Sequence, residues 1–403
     1  FIDGRSPLKI PARTKCTVLL DQGFLTTAYP ELKVSGGKGS KIKLTYSEAL
    51  FDERGKGNRN EIDGRECRGF ADEFLPDGAD GRLFRPLWFK TYRYIQLDIE
   101  TGAAPLVVED LYGIYTGYPF DVRGSFESDD PALEKIWETG WRTARLCAHE
   151  TYFDCPYYEQ LQYAGDTRIQ ALISLYVSGD DRLVRKAIRM YDLSRSYEGI
   201  TCSRYPSHIP QYIPPFSLYW IGMIHDYWMH RSDDAFVRSF LPGIRTVLSW
   251  FTEKIDPRTG LLKNGLPHWN FTDWATSWER GIAPESDSSG SAITTLQLAA
   301  ALDDAADLMR RYDRPAEAKE YAAISAGLKK NVYEKCWDAS KELLRDYIGS
   351  PTYSQHVNIM GILTDAIPHK DQRAVFERID SDPSLTQTTF YYKFYLIRAL
   401  KKV

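Results

Sequence analysis

The spacing of apolar residues changes once along this chain, near residue 120, and that change restricts the fold to a β part followed by an α part. From Cys16 to about Phe120 the period is two. IKLTYSEA sends Ile42, Leu44 and Tyr46 inward and Lys43, Thr45 and Ser47 outward, and TYRYIQLDI repeats the habit from Tyr92 to Ile99. The pieces SGGKGS (35–40) and LPDGADGR (75–82) between these runs have the glycines and aspartates that suit hairpin connections. An antiparallel β-sandwich of roughly 100 residues is the simplest architecture for such spacing. The basic stretch KVSGGKGSKIK reads as a solvated strand edge guarded by lysines.

After DVRGSFESDDP the period becomes helical: Ser128 and the acidic pair behind it suit a helix start, and Leu133, Ile136, Trp137, Trp141 and Ala144 follow at helical spacing. The same spacing predicts further helices near 165–177, 181–194, 217–230, 234–254, 291–311, 315–333, 354–364, 371–379 and 390–402. The domains expected are therefore a β-sandwich over 1–120 and a helical domain over 121–403, in a chain that is mainly α. No fixed-period repeat is present, which disfavours a solenoid of matched units and leaves a toroid of helical hairpins. The long loops of that toroid, 149–163, 195–216 and 255–288, carry the unusual residues.

Composition removes several function classes. A net charge of -4 and a pI near 6.1 give no basic field for a nucleic acid. The cysteines are dispersed, with neither C-x-x-C pairs nor histidines at ligand spacing, so no metal site and no disulfide framework is expected. Phosphate-loop, serine-nucleophile, zinc-helix and calcium-loop patterns are absent, and no cofactor is implied. No apolar run is long enough to span a bilayer, and the start, FIDGRSPLKI, suggests an excised or processed piece. Oligomeric state has no signature here.

What composition does offer is aromatic: 26 Tyr, 18 Phe and 10 Trp, which serve as core packing or as platforms for sugar rings. They concentrate where carboxylates also gather. In FDCPYYEQLQYAGD (153–166), Asp154, Glu159 and Asp166 stand among tyrosines and glutamines. Glycoside hydrolysis uses one carboxylic acid to protonate the leaving oxygen and a second carboxylate to activate water or attack the anomeric carbon. Glu159 suits the acid, since Tyr157, Tyr158, Leu161 and Tyr163 would lower the local dielectric, and Asp154 and Asp166 would disfavour its ionised form while bonding sugar hydroxyls. A bland alternative stands beside this: Asp166, before TRIQALISLY, also fits a helix cap. The loop LPHWNFTDWATSWER (266–280) gathers His268, Trp269, Trp274, Trp278 and Glu279, stacking faces and hydrogen-bonding edges suited to a pyranose, or else a tryptophan-rich wall with a satisfied histidine.

The run D-C-P-Y-Y-E-Q-L-Q-Y-A-G-D resembles the signature D-C-P-x-R-E-R-x-G-W-x-G-D of the bacterial family 78 α-L-rhamnosidases, coinciding without gaps at Asp154, Cys155, Pro156, Glu159, Gly165 and Asp166. The resemblance implies that Glu159 is the general acid and that Asp154 and Asp166 bind the rhamnose ring. Tyr158 and Gln160 replace arginines, Gln162 a glycine and Tyr163 a tryptophan, so a positive charge near the acid is lost, while Tyr163 can still stack and Tyr158 offers a hydroxyl.

DQGFLTTAYPELKVSGGKGSKIKLTYSEAL and FRPLWFKTYRYIQLDI are similar to the β-sandwich that precedes the (α/α)6 barrel in these enzymes. NFTDWATSW resembles the loop that sets a tryptophan against the sugar, which makes Asp273 and Trp274 substrate-binding residues by implication. The implied activity is hydrolysis of terminal α-L-rhamnosides with inversion. Rival readings are another glycone on the same barrel and a decayed carbohydrate-binding protein. The implied compartment is periplasmic or secreted, from the family's habit of degrading external glycans. The family's general base follows the helix that QTTFYYKFYLIRALKKV resembles, so the barrel is expected to lack its last hairpin, with Glu279 in SWERG as the in-chain alternative base.

Overall fold

A computed structural model describes Ile2 and residues 5–403. It contains two compact units: residues 1–120 with 126–160, and residues 121–125 with 161–403.

The first unit holds β1 (Leu8–Ile10), β2 (Lys15–Gly36), β3 (Lys41–Ser47), β4 (Phe51–Asp52), β5 (Gly55–Lys56), β6 (Phe70–Phe74), β7 (Arg82–Phe84), β8 (Lys90–Glu100), β9 (Leu106–Tyr115) and α1 (Pro131–Leu146). Seven strands join in the order β1-β9-β2-β8-β3-β6, with β7 on β2. All of these pairings are antiparallel, and β2 is shared: its first part pairs with β8 and its last part with β9 and β7. The ladder with β8 is irregular between Asp21 and Thr26, where a bulge lets so long a strand bend. Leu32 and Val34 from the last part of β2, Val108 from β9, and Ile42, Leu44 and Leu97 from β3 and β8 all reach zero exposure in one core.

Two local expectations need correction, while the helix start read at Ser128 and the acidic pair is met by α1. SGGKGS and LPDGADGR are not hairpin turns, because β8 inserts between β2 and β3, and β6 and β7 pair with β3 and β2 instead of each other. Thr45 and Ser47 are buried instead of solvated: Cys67 Sγ lies 3.8 Å from the Thr45 carbonyl, and Ser47 Oγ donates to the Ala49 carbonyl at 2.5 Å. The cap of α1 is Asp130, whose carboxylate accepts from Ala132 N at 2.9 Å.

A ring stack in this unit sets its acid response. His149 lies flat against Phe89 (4.4 Å) and Phe153 (5.0 Å), with Nε2 3.2 Å from the Leu146 carbonyl. Burial pushes the imidazole below its ordinary value of 6.5. Below that pH the unfolded chain therefore binds a proton that the folded ring resists, so stability is full above it and falls as the pH drops. His149→Phe is expected to flatten the loss of thermal stability between about pH 7.5 and 5.5; a variant with the parent's slope would contradict the assignment.

The second unit holds α2 (Ala164–Val177), α3 (Arg182–Leu193), α4 (Pro214–His230), α5 (Asp234–Arg238), α6 (Leu241–Thr252), α7 (Ala292–Arg311), α8 (Pro315–Cys336), α9 (Gln355–Leu363), α10 (His369–Ser381) and α11 (Lys393–Lys402), with a small hairpin of β10 (Trp337–Asp338) and β11 (Leu343–Leu344). The single helix expected over 234–254 is two. Pro242 in the first turn of α6 has no N–H with which to continue the α5 ladder, so the helix restarts.

Burial separates two kinds of helix. In α4 every residue from Pro214 to Ile224 is buried, as befits a helix surrounded by protein, whereas α3 buries the stripe Leu183, Val184, Ala187, Ile188 and Tyr191. These helices touch in succession: α2 with α4, α4 with α7, α7 with α9 and α9 with α11, the last of which buries only Tyr395 and Ala399. Helices α3, α6, α8 and α10 flank them. Among the described residues no helix is long and apolar enough to cross a membrane, and no group of three or more His, Cys, Asp or Glu side chains could hold a metal ion.

Candidate active site

The turn bearing Asp154 and Glu159 is fastened to the β unit at successive residues. Phe153 enters the ring stack, Thr91 Oγ1 donates to the Pro156 carbonyl at 2.5 Å, and Trp88 Nε1 donates to Gln160 Oε1 at 2.7 Å. Tyr157 is buried, donating its hydroxyl to the Tyr46 carbonyl (2.7 Å) and accepting from Phe70 N (3.1 Å). Gln160 closes the turn with φ 53°.

Glu159 itself is exposed, and Asp154 is half-buried. The low-dielectric surround expected from Tyr157 and Tyr158 is therefore not formed: Tyr157 turns into the sheet, and Tyr158, 56% exposed, lies under the Lys56 ammonium at 4.4 Å. Lys56, paired with Glu48 at 2.5 Å, also returns a cation to a neighbourhood expected to have lost one.

In the helical unit the motif continues into α2. Tyr163 occupies the N-cap position, so Asp166 does not cap the helix; it sits in the first turn, where the N-terminal dipole favours a negative charge. Burial, and after it the Asp166 charge among others, pushes the Tyr191 and Tyr391 hydroxyls up. Gly165 is required by close approach: a Cβ there would meet Tyr391 Oη at 2.6 Å and the Phe216 ring at 2.8 Å. Tyr163 is half-buried, its hydroxyl accepting from Arg204 at 2.8 Å and its ring edge-on to Phe216.

The loop after α6 is a pinned hairpin. Thr272 N and Asp273 N both donate to the Gly281 carbonyl (2.8 and 3.2 Å), and Gly281, at φ 68°, would drive a Cβ to 2.6 Å from Phe271. Trp269 donates Nε1 to the Arg280 carbonyl at 3.0 Å and packs on Phe271 and Trp274. Trp274 remains 62% exposed, while Trp278 is buried against His356 at 4.4 Å. Glu279 is exposed on the short 3-10 turn Glu279–Gly281. His268, at φ 72°, meets Glu198 through Nε2 at 3.3 Å; Trp250 Nε1 donates to the same oxygen at 3.2 Å, and the two hold that carboxyl below the usual range.

Asp273 has no exposed surface. Its carboxylate accepts from His356 Nε2 (2.7 Å), Thr389 N (2.8 Å) and the Thr389 hydroxyl. His356 and Thr389 were not legible as site residues. One is a lone histidine opening the apolar helix QHVNIMGIL, the other a threonine in QTTF, and neither stretch has a pattern of its own.

Residues 121–392 match the model of the bacterial α-L-rhamnosidase six-hairpin glycosidase domain, and residues 12–113 that of the bacterial α-L-rhamnosidase concanavalin-like domain. The chain belongs to the bacterial α-L-rhamnosidase family. A comparison with curated protein sequences gives no match. Three solved rhamnosidases show the family's fold over nearly the whole chain. The family 78 enzyme of Bacillus sp. GL1 is 23% identical with a TM-score of 0.86, covering 98% of this chain and 41% of its own. The Klebsiella oxytoca rhamnosidase with rhamnose bound is 18% identical with a TM-score of 0.80, covering 98% and 76%. The Streptomyces avermitilis α-L-rhamnosidase complexed with L-rhamnose is 17% identical with a TM-score of 0.71, covering 98% and 37%. The chain thus spans less than half the length of the Bacillus rhamnosidase.

Proposed function

We propose that the protein hydrolyses terminal α-L-rhamnose residues from glycosides by inversion, with α2, α4, α7, α9 and α11 as inner helices of an (α/α)6 barrel. Glu159 is the general acid: it donates a proton to the glycosidic oxygen as the bond to the anomeric carbon breaks, while water activated by a second carboxylate attacks from the opposite face. The observation that carries this reading is the turn 153–160, which matches the family signature at Asp154, Cys155, Pro156 and Glu159 and is fixed at Phe153, Pro156, Tyr157 and Gln160. Two of the structural relatives hold rhamnose, which supports the glycone.

Asp154 and Asp166 bond ring hydroxyls in this scheme. Tyr163, Trp269 and Trp274 offer faces, and Tyr158, His268 and Glu279 offer polar edges. Asp273 acts as a positioning residue, since its oxygens are committed to His356 and Thr389; it fixes the loop that carries Trp274.

The substitutions at 158 and 160 favour testing a second glycone. In a panel of nitrophenyl glycosides the α-L-rhamnoside is expected to have the highest kcat/KM; faster turnover of any other member would replace rhamnose as the substrate.

A further inference from the structure

At position 163 this chain departs from the family signature, with a tyrosine where the pattern has tryptophan. The exchange keeps an aromatic face and changes what the ring can bond: an indole N–H only donates, whereas a phenol oxygen also accepts. The fold uses that difference. Arg204 Nη1 donates to the Tyr163 hydroxyl at 2.8 Å, and the guanidinium lies 5.6 Å from the ring centre. A tryptophan at 163 would leave Arg204 without this acceptor, so the two residues work as a pair.

Backbone sets the pair in place. Tyr163 and Arg204 face each other across an antiparallel bridge, in which Ala164 N donates to the Ser203 carbonyl at 2.9 Å and Tyr205 N to the Gln162 carbonyl at 3.1 Å. Gln162 Nε2 adds a bond to the Tyr205 carbonyl at 2.8 Å, and Ser203 N one to the Gln211 carbonyl at 2.8 Å. None of these four bonds uses the side chain of Tyr163 or Arg204, so both can be varied without unfastening the bridge. Phe216 meets the Tyr163 ring edge-on at 6.4 Å and fixes its tilt. Both members of the pair are half-buried, shielded from bulk water yet open on one side.

Arginine has no acceptor, so the phenol oxygen accepts in this bond and the phenol hydrogen is turned away from Arg204. A hydroxyl that accepts from a cation is polarised into a stronger donor. Tyr163 is also the N-cap of the helix whose first turn carries Asp166, so this donor stands at the same helix end as a carboxylate that accepts. Sugar hydroxyls both donate and accept, which suits such an end. We propose that Arg204 is a positioning residue for the glycone, holding the Tyr163 hydroxyl as a donor to one hydroxyl oxygen of the rhamnose ring; this rests on the reading that puts Tyr163 at the rhamnose.

The test measures binding without turnover. L-Rhamnose and its 2-, 3- and 4-deoxy forms are titrated by calorimetry and ligand NMR into the intact protein, Tyr163→Phe, Arg204→Met, Arg204→Lys and the Tyr163→Phe/Arg204→Met double variant. Each of Tyr163→Phe and Arg204→Met is expected to weaken L-rhamnose roughly three- to tenfold, the size of one hydrogen bond. The double variant should bind no more weakly than Tyr163→Phe, and Arg204→Lys, which keeps a donor, should stay near the parent. One deoxy sugar should lose as much against the parent and nothing further against Tyr163→Phe, which names the hydroxyl contacted. A parent that binds no rhamnose removes the glycone reading and this proposal with it. Rhamnose binding that is unchanged in Arg204→Met, losses that add in the double variant, or a Tyr163→Phe loss that recurs equally with all three deoxy sugars overturns this proposal alone.

Discussion

Glu159→Gln is expected to lower kcat on a rhamnoside with an unactivated sugar or alkyl leaving group by roughly 10²–10⁴-fold, the contribution of a positioned acid. The substitution keeps size and hydrogen-bonding shape and removes only the transferable proton. It should not disturb the fold, because the turn is held through Phe153, the Pro156 carbonyl, the Tyr157 hydroxyl and the Gln160 amide, none of which involves the Glu159 side chain. Steady-state kinetics together with a thermal melt check this. An unchanged melt with a large loss of kcat is the expected pair; undiminished turnover would remove Glu159 from the acid role.

Asp273→Ala is expected to destabilise the protein by roughly 3–5 kcal/mol, the cost of deleting one partner of a buried charged or hydrogen-bonded pair. Asp273 and His356 both have zero side-chain exposure, so no water replaces the lost carboxylate. Three donors lose their acceptor together, one from His356 and two from Thr389. Denaturant unfolding would show a lower midpoint in the alanine variant than in Asp273→Asn, whose amide oxygen still accepts one or two of these bonds. A midpoint within experimental scatter of the parent would mean that the network does not hold the loop. Because the neighbouring Trp274 lies on the same pinned hairpin, KM is expected to rise with the loss of order.

Short-range features were legible in the sequence, and long-range pairings were not. Helical periodicity located α2 to α4 and α7 to α11 within a few residues, since amphipathic and enclosed helices leave their pattern locally. The break between α5 and α6 was marked by Pro242, yet the apolar spacing runs on across it. The insertion of β8 between β2 and β3 leaves no local trace, so turn-rich connections looked like hairpins.

The site divides in the same way. Glu159 and Asp166 stand in one contiguous motif, whereas the partners of Asp273 lie 83 and 116 residues further along. Tyr157 was misplaced because sequence adjacency does not say which way a side chain turns. Its hydroxyl goes to Tyr46, 111 residues earlier, and its ring leaves Glu159 exposed instead of walling it in.

The leaving-group dependence of Glu159→Gln tests the central claim most directly. An acid matters in proportion to how poorly the leaving group departs unaided, so 2,4-dinitrophenyl α-L-rhamnoside, which needs no proton, should be cleaved by the variant at nearly the parent's rate while alkyl and sugar rhamnosides are cleaved far more slowly. Equal losses across the whole series would show that Glu159 does not deliver the proton.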